Sequence, residues 1–310
     1  MRAWLSCGGA ASVALGLVLA CSSSDSGSTP SSDAGDESSP PDAPDTPPPP
    51  DDGGTDSSTT RCDPSIPYKA VGETIPGLEA ATYAGITLTV DELDAVLFVV
   101  GDAGAHSFVE AHRTTTKDPF VLGRTLTELD IGIAERAGLS PDGLTIWFSA
   151  TLDGGEAIFQ ATRVSLSSPF GTPAHVSQLD LGQNAVGPYV AHGAFWFSAG
   201  TPGAYRIYRA TLAAGTPTTP ALVAGLDRAG FNFFLPVVAD DGLAIYWSGS
   251  PNVYRALRDI DTDPFSKYLP VNEIQAPPQF EQASWLSLDR CRLYYARGSG
   301  SEIRVLIAHH

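Results

Sequence analysis

The feature that most constrains this chain is a pattern that returns about every 49 residues. The stretch LSPDGLTIWFSATLDGGEAIFQATR (139–163) reads as two short strands joined by a glycine turn, with a Ser-Pro-Asp-Gly corner in front. It aligns with LTVDELDAVLFVVGDAGAHSFVEAHR (88–113), VAHGAFWFSAGTPGAYRIYRATL (190–212), VADDGLAIYWSGSPNVYRALR (238–258) and LSLDRCRLYYARGSGSEIRVLIAHH (286–310). An aromatic in the second strand falls at Phe98, Phe148, Phe197, Trp247 and Tyr295, and an alanine closing the third falls at Ala111, Ala161, Ala210, Ala256 and Ala308. Two independent columns keep one period, which excludes chance and marks a repeat architecture.

Each unit carries four runs of alternating pattern, rich in Val, Ile, Tyr, Phe and Trp and separated by Gly, Asp or Pro turns. In the second unit these runs fall at about 133–139, 144–150, 157–163 and 174–179. Four strands per repeat of this length is the signature of a β-propeller blade, and a β-sandwich would not produce a fixed period. The fourth strand is introduced by Pro-Phe at Pro119-Phe120, Pro169-Phe170 and Pro264-Phe265, and it leads to Leu129, Leu179, Leu226 and Ile274. The last unit stops after its third strand, and the missing run lies at the front, from Pro67-Tyr68 to Ile75 and Leu78. The expectation is an all-β, five-bladed propeller over residues 62–310 whose N-terminal strand completes the last blade and removes an exposed edge.

This closure brings Cys62 beside Cys291, placed in the second strand of the same blade. A disulfide between them would staple the ring; the bland alternative is two buried thiols. Because the bond closes a very long loop, it would add roughly 4 to 5 kcal/mol in the simple entropy model.

The front of the chain is of another kind. Residues 1–20 carry Arg2 and then an uncharged run too short for a comfortable membrane span, which reads as a secretory signal. The run ends Leu17-Val18-Leu19-Ala20-Cys21, which resembles the bacterial lipobox. That resemblance implies cleavage before Cys21 and lipid on Cys21, with Ser22 similar to an outer-membrane sorting signal; ordinary cleavage near Ala20 is the alternative. From Cys21 to Arg61 extends a Ser/Pro/Asp-rich tether, with nine acids, no base before Arg61 and no aromatic or branched aliphatic side chain. Such a segment cannot bury a core and stays extended, spanning roughly 35 Å or more. An exported, envelope-held protein is expected, and export permits the disulfide.

With the residues laid out, LSPDGLTIWFS, a glycine turn and AIFQATR resemble the WD-like, Pro-Asp type of propeller repeat associated with TolB in bacterial envelope proteins. The match is strong at Pro141-Asp142-Gly143 and partial at Asp240-Asp241-Gly242; Asp91 and Asp289 keep only the aspartate, and His192-Gly193 replaces the motif in the third copy. The resemblance implies a non-enzymatic propeller that binds, often protein.

Candidate chemistry is sparse. Asp91, Asp142, Asp241 and Asp289 recur at matching turns, as a structural corner requires and a single catalytic acid would not. The order Ser140, Asp142, Gly143, Thr145, Trp147 invites comparison with a sialidase Asp box, but nothing separates Asp from Gly, so the spacing fails. Five-bladed propellers also house glycoside hydrolases with two carboxylates about 5 to 10 Å apart. Here the positions facing the channel are Glu135, Arg136, Asn184, Asn232, Glu281 and Gln282, with Glu135 and Glu281 nearly equivalent in the repeat. The six histidines show no ligand spacing, and no phosphate loop, dinucleotide fingerprint or nucleophile elbow is present, so neither cofactor nor metal is expected. The whole chain carries a formal charge of −17, which argues against nucleic acid. The remaining expectations are a monomer that binds an envelope protein or glycan, with the membrane reached through the lipid, or a purely structural envelope component.

Overall fold

The computed structural model describes residues 61–79, 82–101, 105–228, 230–249, 252–299 and 302–310. The leader, Cys21 and the tether up to residue 60 lie outside the described residues. Among the described residues no helix is long and apolar enough to cross a membrane.

The chain forms the five-bladed β-propeller that its repeat calls for. The first blade is β2 (Tyr83–Leu88), β3 (Asp94–Val100), β4 (His106–His112) and β5 (Val121–Thr125), paired antiparallel in that order. The second is β6 (Ile133–Leu139), β7 (Thr145–Leu152), β8 (Gly155–Thr162) and β9 (Ala174–His175). In the third, β10 (Asn184–Ala191), β11 (Ala194–Gly200) and β12 (Arg206–Ala213) are followed by an outer position split into β13 (Thr216–Pro217) and β14 (Ala221–Leu222), both on β12. The fourth is β15 (Phe234–Val238), β16 (Ala244–Ser248), β17 (Val253–Leu257) and β18 (Ser266–Pro270). The fifth is β19 (Phe280–Leu286), β20 (Arg292–Ser299) and β21 (Glu302–His309), completed on the outside by β1 (Ala70–Thr74).

Two local details differ from the sequence reading. Leu129, Leu179 and Ile274 do not end the outer strands; each is the buried residue of a single 3-10 turn that follows, at Thr127–Leu129, Ser177–Leu179 and Asn272–Ile274. The branched aliphatic side chain there is fully buried, and that burial is what the pattern detected. Cys291 stands in the corner before its strand, which begins at Arg292.

The innermost strands β2, β6, β10, β15 and β19 touch in cyclic order and wall the axis. The second strands are buried along most of their length, and their repeat aromatics Phe148, Phe197, Trp247 and Tyr295 are fully enclosed. Aromatic contacts carry the core across blade boundaries, for instance Trp147 against Phe195 with centroids 5.6 Å apart. Closure is covalent as well: Cys62 and Cys291 form a disulfide across a sequence separation of 229 residues, and Cys62 N–H donates to Asp289 O at 2.8 Å.

Candidate functional site: the channel mouth

The ring has two faces. One carries the corners between first and second strands; the other carries the starts of the innermost strands. On the corner face the sequence repeat becomes a repeated hydrogen-bond pattern. Ser140 Oγ donates to Asp142 Oδ1 (2.6 Å), which also accepts Leu144 N–H (3.0 Å), while Thr145 N–H donates to Ser140 Oγ (2.8 Å). The same three bonds join Thr89, Asp91, Leu93 and Asp94 in the first blade, and Ser287, Asp289, Cys291 and Arg292 in the fifth. Asp241 keeps the Leu243 N–H (3.1 Å) and adds Arg290 at 2.8 Å from the next blade. The residue after the aspartate has positive φ, +71° at Gly143 and Gly242, yet Glu92 and Arg290 adopt it too at +63° and +62°. Burial opposes ionisation of Asp142, but the Ser140 hydroxyl and Leu144 amide outweigh it and hold its carboxyl below the usual range.

A second repeated device passed unread in the sequence. Two residues after the third-strand alanine stand Arg113, Arg163 and Arg258. Each donates through Nε to a corner carbonyl, Glu92 O, Gly143 O or Gly242 O, and lies 4.4 Å over the ring of Phe120, Phe170 or Phe265. The signal was available as Arg, five residues, then Pro-Phe. In the closing blade His310 takes this place against Tyr68, at 4.1 Å between ring centroids.

The opposite face holds the six channel residues, and the structure separates them. All five innermost strands break register within a residue or so of the same level, skipping Ala84 in the first blade, Ala134 and Arg136 in the second, Gly187 and Pro188 in the third, Leu235 and Pro236 in the fourth and Ser284 in the fifth. Such bulges re-aim side chains. Arg136 is 3% exposed and hydrogen-bonds Ala283 O of the fifth blade and, at 3.4 Å, Pro236 O of the fourth. Neither blade adjoins the second, so the guanidinium crosses the axis and fills it. Burial pulls Arg136 down to about 10, opposed by Glu135 and Tyr189. Toward the corner face the channel narrows to about 50 Å³ between Leu88, Leu139, Tyr189, Val238 and Trp285, one from each blade.

Glu135, next to Arg136, is half-buried, and its carboxyl is pushed up to about 7 by burial and by Glu156, with Arg136 opposing. Glu156 Oε2 accepts from Tyr205 Oη at 3.2 Å. Asn184 and Asn232 are stitches between blades: their Oδ1 atoms accept Glu156 N–H (3.2 Å) and Tyr205 N–H (3.0 Å) from the preceding third strands. Glu281 is 1% exposed and already engaged, its Oε1 accepting Ala276 N–H at 2.8 Å and lying 3.3 Å from Arg297 Nε. Burial raises its carboxyl against those two partners. Gln282 borders a cleft of about 310 Å³ with Asn232, Phe234, Phe280 and Glu281. Asn184 and Glu156 border a separate one of about 380 Å³. Sequence reasoning missed Glu156, Tyr205 and Phe234, which sit on second-to-third-strand turns or strand ends with no repeated signal. Among the described residues no three His, Cys, Asp or Glu converge as a metal-ligand set.

No protein-family model and no curated protein matches the chain. Solved structures do match. The endo-arabinase from Bacteroides thetaiotaomicron aligns at 12% identity with a TM-score of 0.54, over 78% of this chain and 98% of that one. The GH43_1 enzyme from Xanthomonas citri complexed with xylotriose aligns at 16% and 0.54, over 77% and 90%. TolB from Acinetobacter baumannii aligns at 15% and 0.44, over 74% of this chain but 55% of its own length. At such identities what is shared is the fold, and a propeller fold hosts hydrolases and binding proteins alike.

Proposed function

We propose that this protein is a non-catalytic binding module of the bacterial cell envelope, exported and held by lipid on Cys21, that takes a protein partner at the channel mouth. The observation that carries the reading is Arg136. A guanidinium locked across the axis onto two backbone carbonyls occupies the space in which a hydrolase would place the reacting bond. The innermost strands contain two acids, Glu135 and Glu281, and Glu281 is spent on Ala276 and Arg297. What remains is a rigid rim of half-buried Phe234, Phe280 and Gln282, the kind of loop-and-rim surface that a fixed scaffold presents to a partner. The disulfide supports export to an oxidising compartment.

A second reading, glycoside hydrolysis, has one observation in its favour. Glu135 near 7 beside Glu156 is the asymmetry that an acid and a charged carboxylate require. Two measurements on the full chain separate the readings. Aryl glycosides and arabinan or xylan oligomers are expected to remain intact between pH 5 and pH 8, near where Glu135 titrates. Capture from an envelope extract is expected to saturate and to be lost in Phe234→Ala/Gln282→Arg. Turnover abolished by Glu135→Gln would establish the hydrolase instead.

A further inference from the structure

The residue just before the third-strand alanine faces the groove toward the following blade, and the five copies are Glu110, Gln160, Arg209, Arg255 and Ile307. Three of the four polar ones make side-chain hydrogen bonds, although the Nε of Arg255 is buried and unpaired as well. Glu110 Oε1 accepts from Arg163 of the next blade at 2.5 Å, Gln160 Nε2 donates to Gly215 O at 3.3 Å, and Arg255 donates to Ser65 O and Ile66 O. The Arg209 side chain makes no hydrogen bond among the described residues. Its Nε is buried and unpaired, its guanidinium lies 5.2 Å from the Trp196 ring centroid, and its one ion pair, with Asp261, is a loose 3.7 Å. Asp261 is meanwhile engaged by Arg258 and, at 3.1 Å, by His192 Nε2.

The third blade also lacks the clamp that tightens the others. Leu212 stands where Arg113, Arg163 and Arg258 stand, there is no Pro-Phe, and the outer strand breaks into β13 and β14. The result is a groove of about 490 Å³ between the third and fourth blades, with a largely apolar wall that includes Trp196, Ala221 and Leu222, and a polar side formed by Arg209, Arg258, Asp261, Asp263 and four threonines, Thr211, Thr218, Thr219 and Thr262. Thr211 and Thr218 bond each other at 2.7 Å, whereas Thr219 and Thr262 are exposed.

We propose that this groove is a binding site for an acidic sugar, with the carboxylate of a uronate on the Arg209 guanidinium and its hydroxyls among the threonines. The Arg209 side chain is 32% exposed and its terminal nitrogens make no hydrogen bond, a planar fork that suits a carboxylate bidentately. The threonines supply hydroxyls that both give and accept hydrogen bonds, as a polyol requires. The volume falls in the range of about 300–1,000 Å³ of small-ligand sites. An acidic peptide is disfavoured because strand addition needs a run of main-chain partners, and β13 and β14 offer two residues each. Exposed Asp263 sets the selectivity: its charge repels a dense anion more than a single carboxylate. The groove shares no lining residue with the channel-mouth cleft, so it stands or fails independently of the partner proposed there.

The test is an equilibrium titration of the full chain with digalacturonate, with the matching neutral disaccharide and Glu-Glu dipeptide as parallel arms. Saturable binding of digalacturonate is expected, weakened at least about tenfold by Arg209→Gln and less by Arg209→Lys. Gln160→Leu, at the equivalent place one groove back, is expected to bind as the parent does. Thermal unfolding of each variant confirms that the ring is intact, and Arg209→Lys serves if Arg209→Gln does not fold. Absence of saturation by digalacturonate on the folded parent, unchanged affinity in the Arg209 variants, equal binding of the neutral sugar, or tighter binding of Glu-Glu would each overturn the site.

Discussion

On the corner face, Ser140, Asp142 and Arg163 of the second blade have counterparts in other blades, and each side chain is consumed by its neighbours. On the opposite face, Glu135 and Arg136 have none: counted back from the corner, the place of Arg136 is taken elsewhere by Gly85, Gly187, Leu235 and Ala283. A repeated polar group answers a demand that every blade makes, closing a turn. An unrepeated one answers a demand made once, and that is where function or a singular structural need resides.

The contrast can be broken or sharpened by substitution. The largest effect belongs to the corner face, where Cys62→Ser/Cys291→Ser is expected to cost about 5 kcal/mol in the loop-entropy model, read as a lower melting temperature that reductant reproduces in the parent alone. A smaller loss would place the ring's closure in the β1–β21 pairing. Next comes Glu135, whose carboxyl stays protonated to about 7 in the fold but ionises near 4.5 when unfolded. Native stability is therefore lost as pH rises from about 4.5 to about 7, by at most about 3 kcal/mol. Glu135→Gln should match the parent at about pH 4 and exceed it at about pH 8 in chemical denaturation; a parallel pH profile would remove the buried-acid account. Smallest is Asp142→Ala, expected to cost about 1 kcal/mol. Because its carboxyl sits below the usual range, that contribution exists above the ordinary aspartate pKa and is lost as pH falls through the lowered one. Parent and Asp142→Ala should thus converge in acid.

What the sequence made legible divides along the same line. The blade number, the corners and the closing strand follow from columns that recur, because five copies of one physical constraint reinforce each other, and the Cys62–Cys291 bond follows from the closing strand. Blade three's split edge did not emerge, since the loss of Pro-Phe and the change to Leu212 show only against the clamp, and the clamp was itself unread. The channel was the least legible. Arg136 stands on the expected strand, but a bulge decides that it crosses the axis, and the residues skipped in the bulges range from Gly and Ala to Leu, Pro and Ser with no signal common to all five. Glu281 looked equivalent to Glu135, yet the nearby Ala276 amide and Arg297 take it out of play.

The Cys62–Cys291 bond has a mechanical consequence. Tension arriving along the chain at Arg61 passes through sulfur into the corner of the fifth blade before it can reach Ala70–Thr74. The outer strand that shuts the ring therefore carries no load, and it cannot be peeled off by force applied at Arg61 while the disulfide holds.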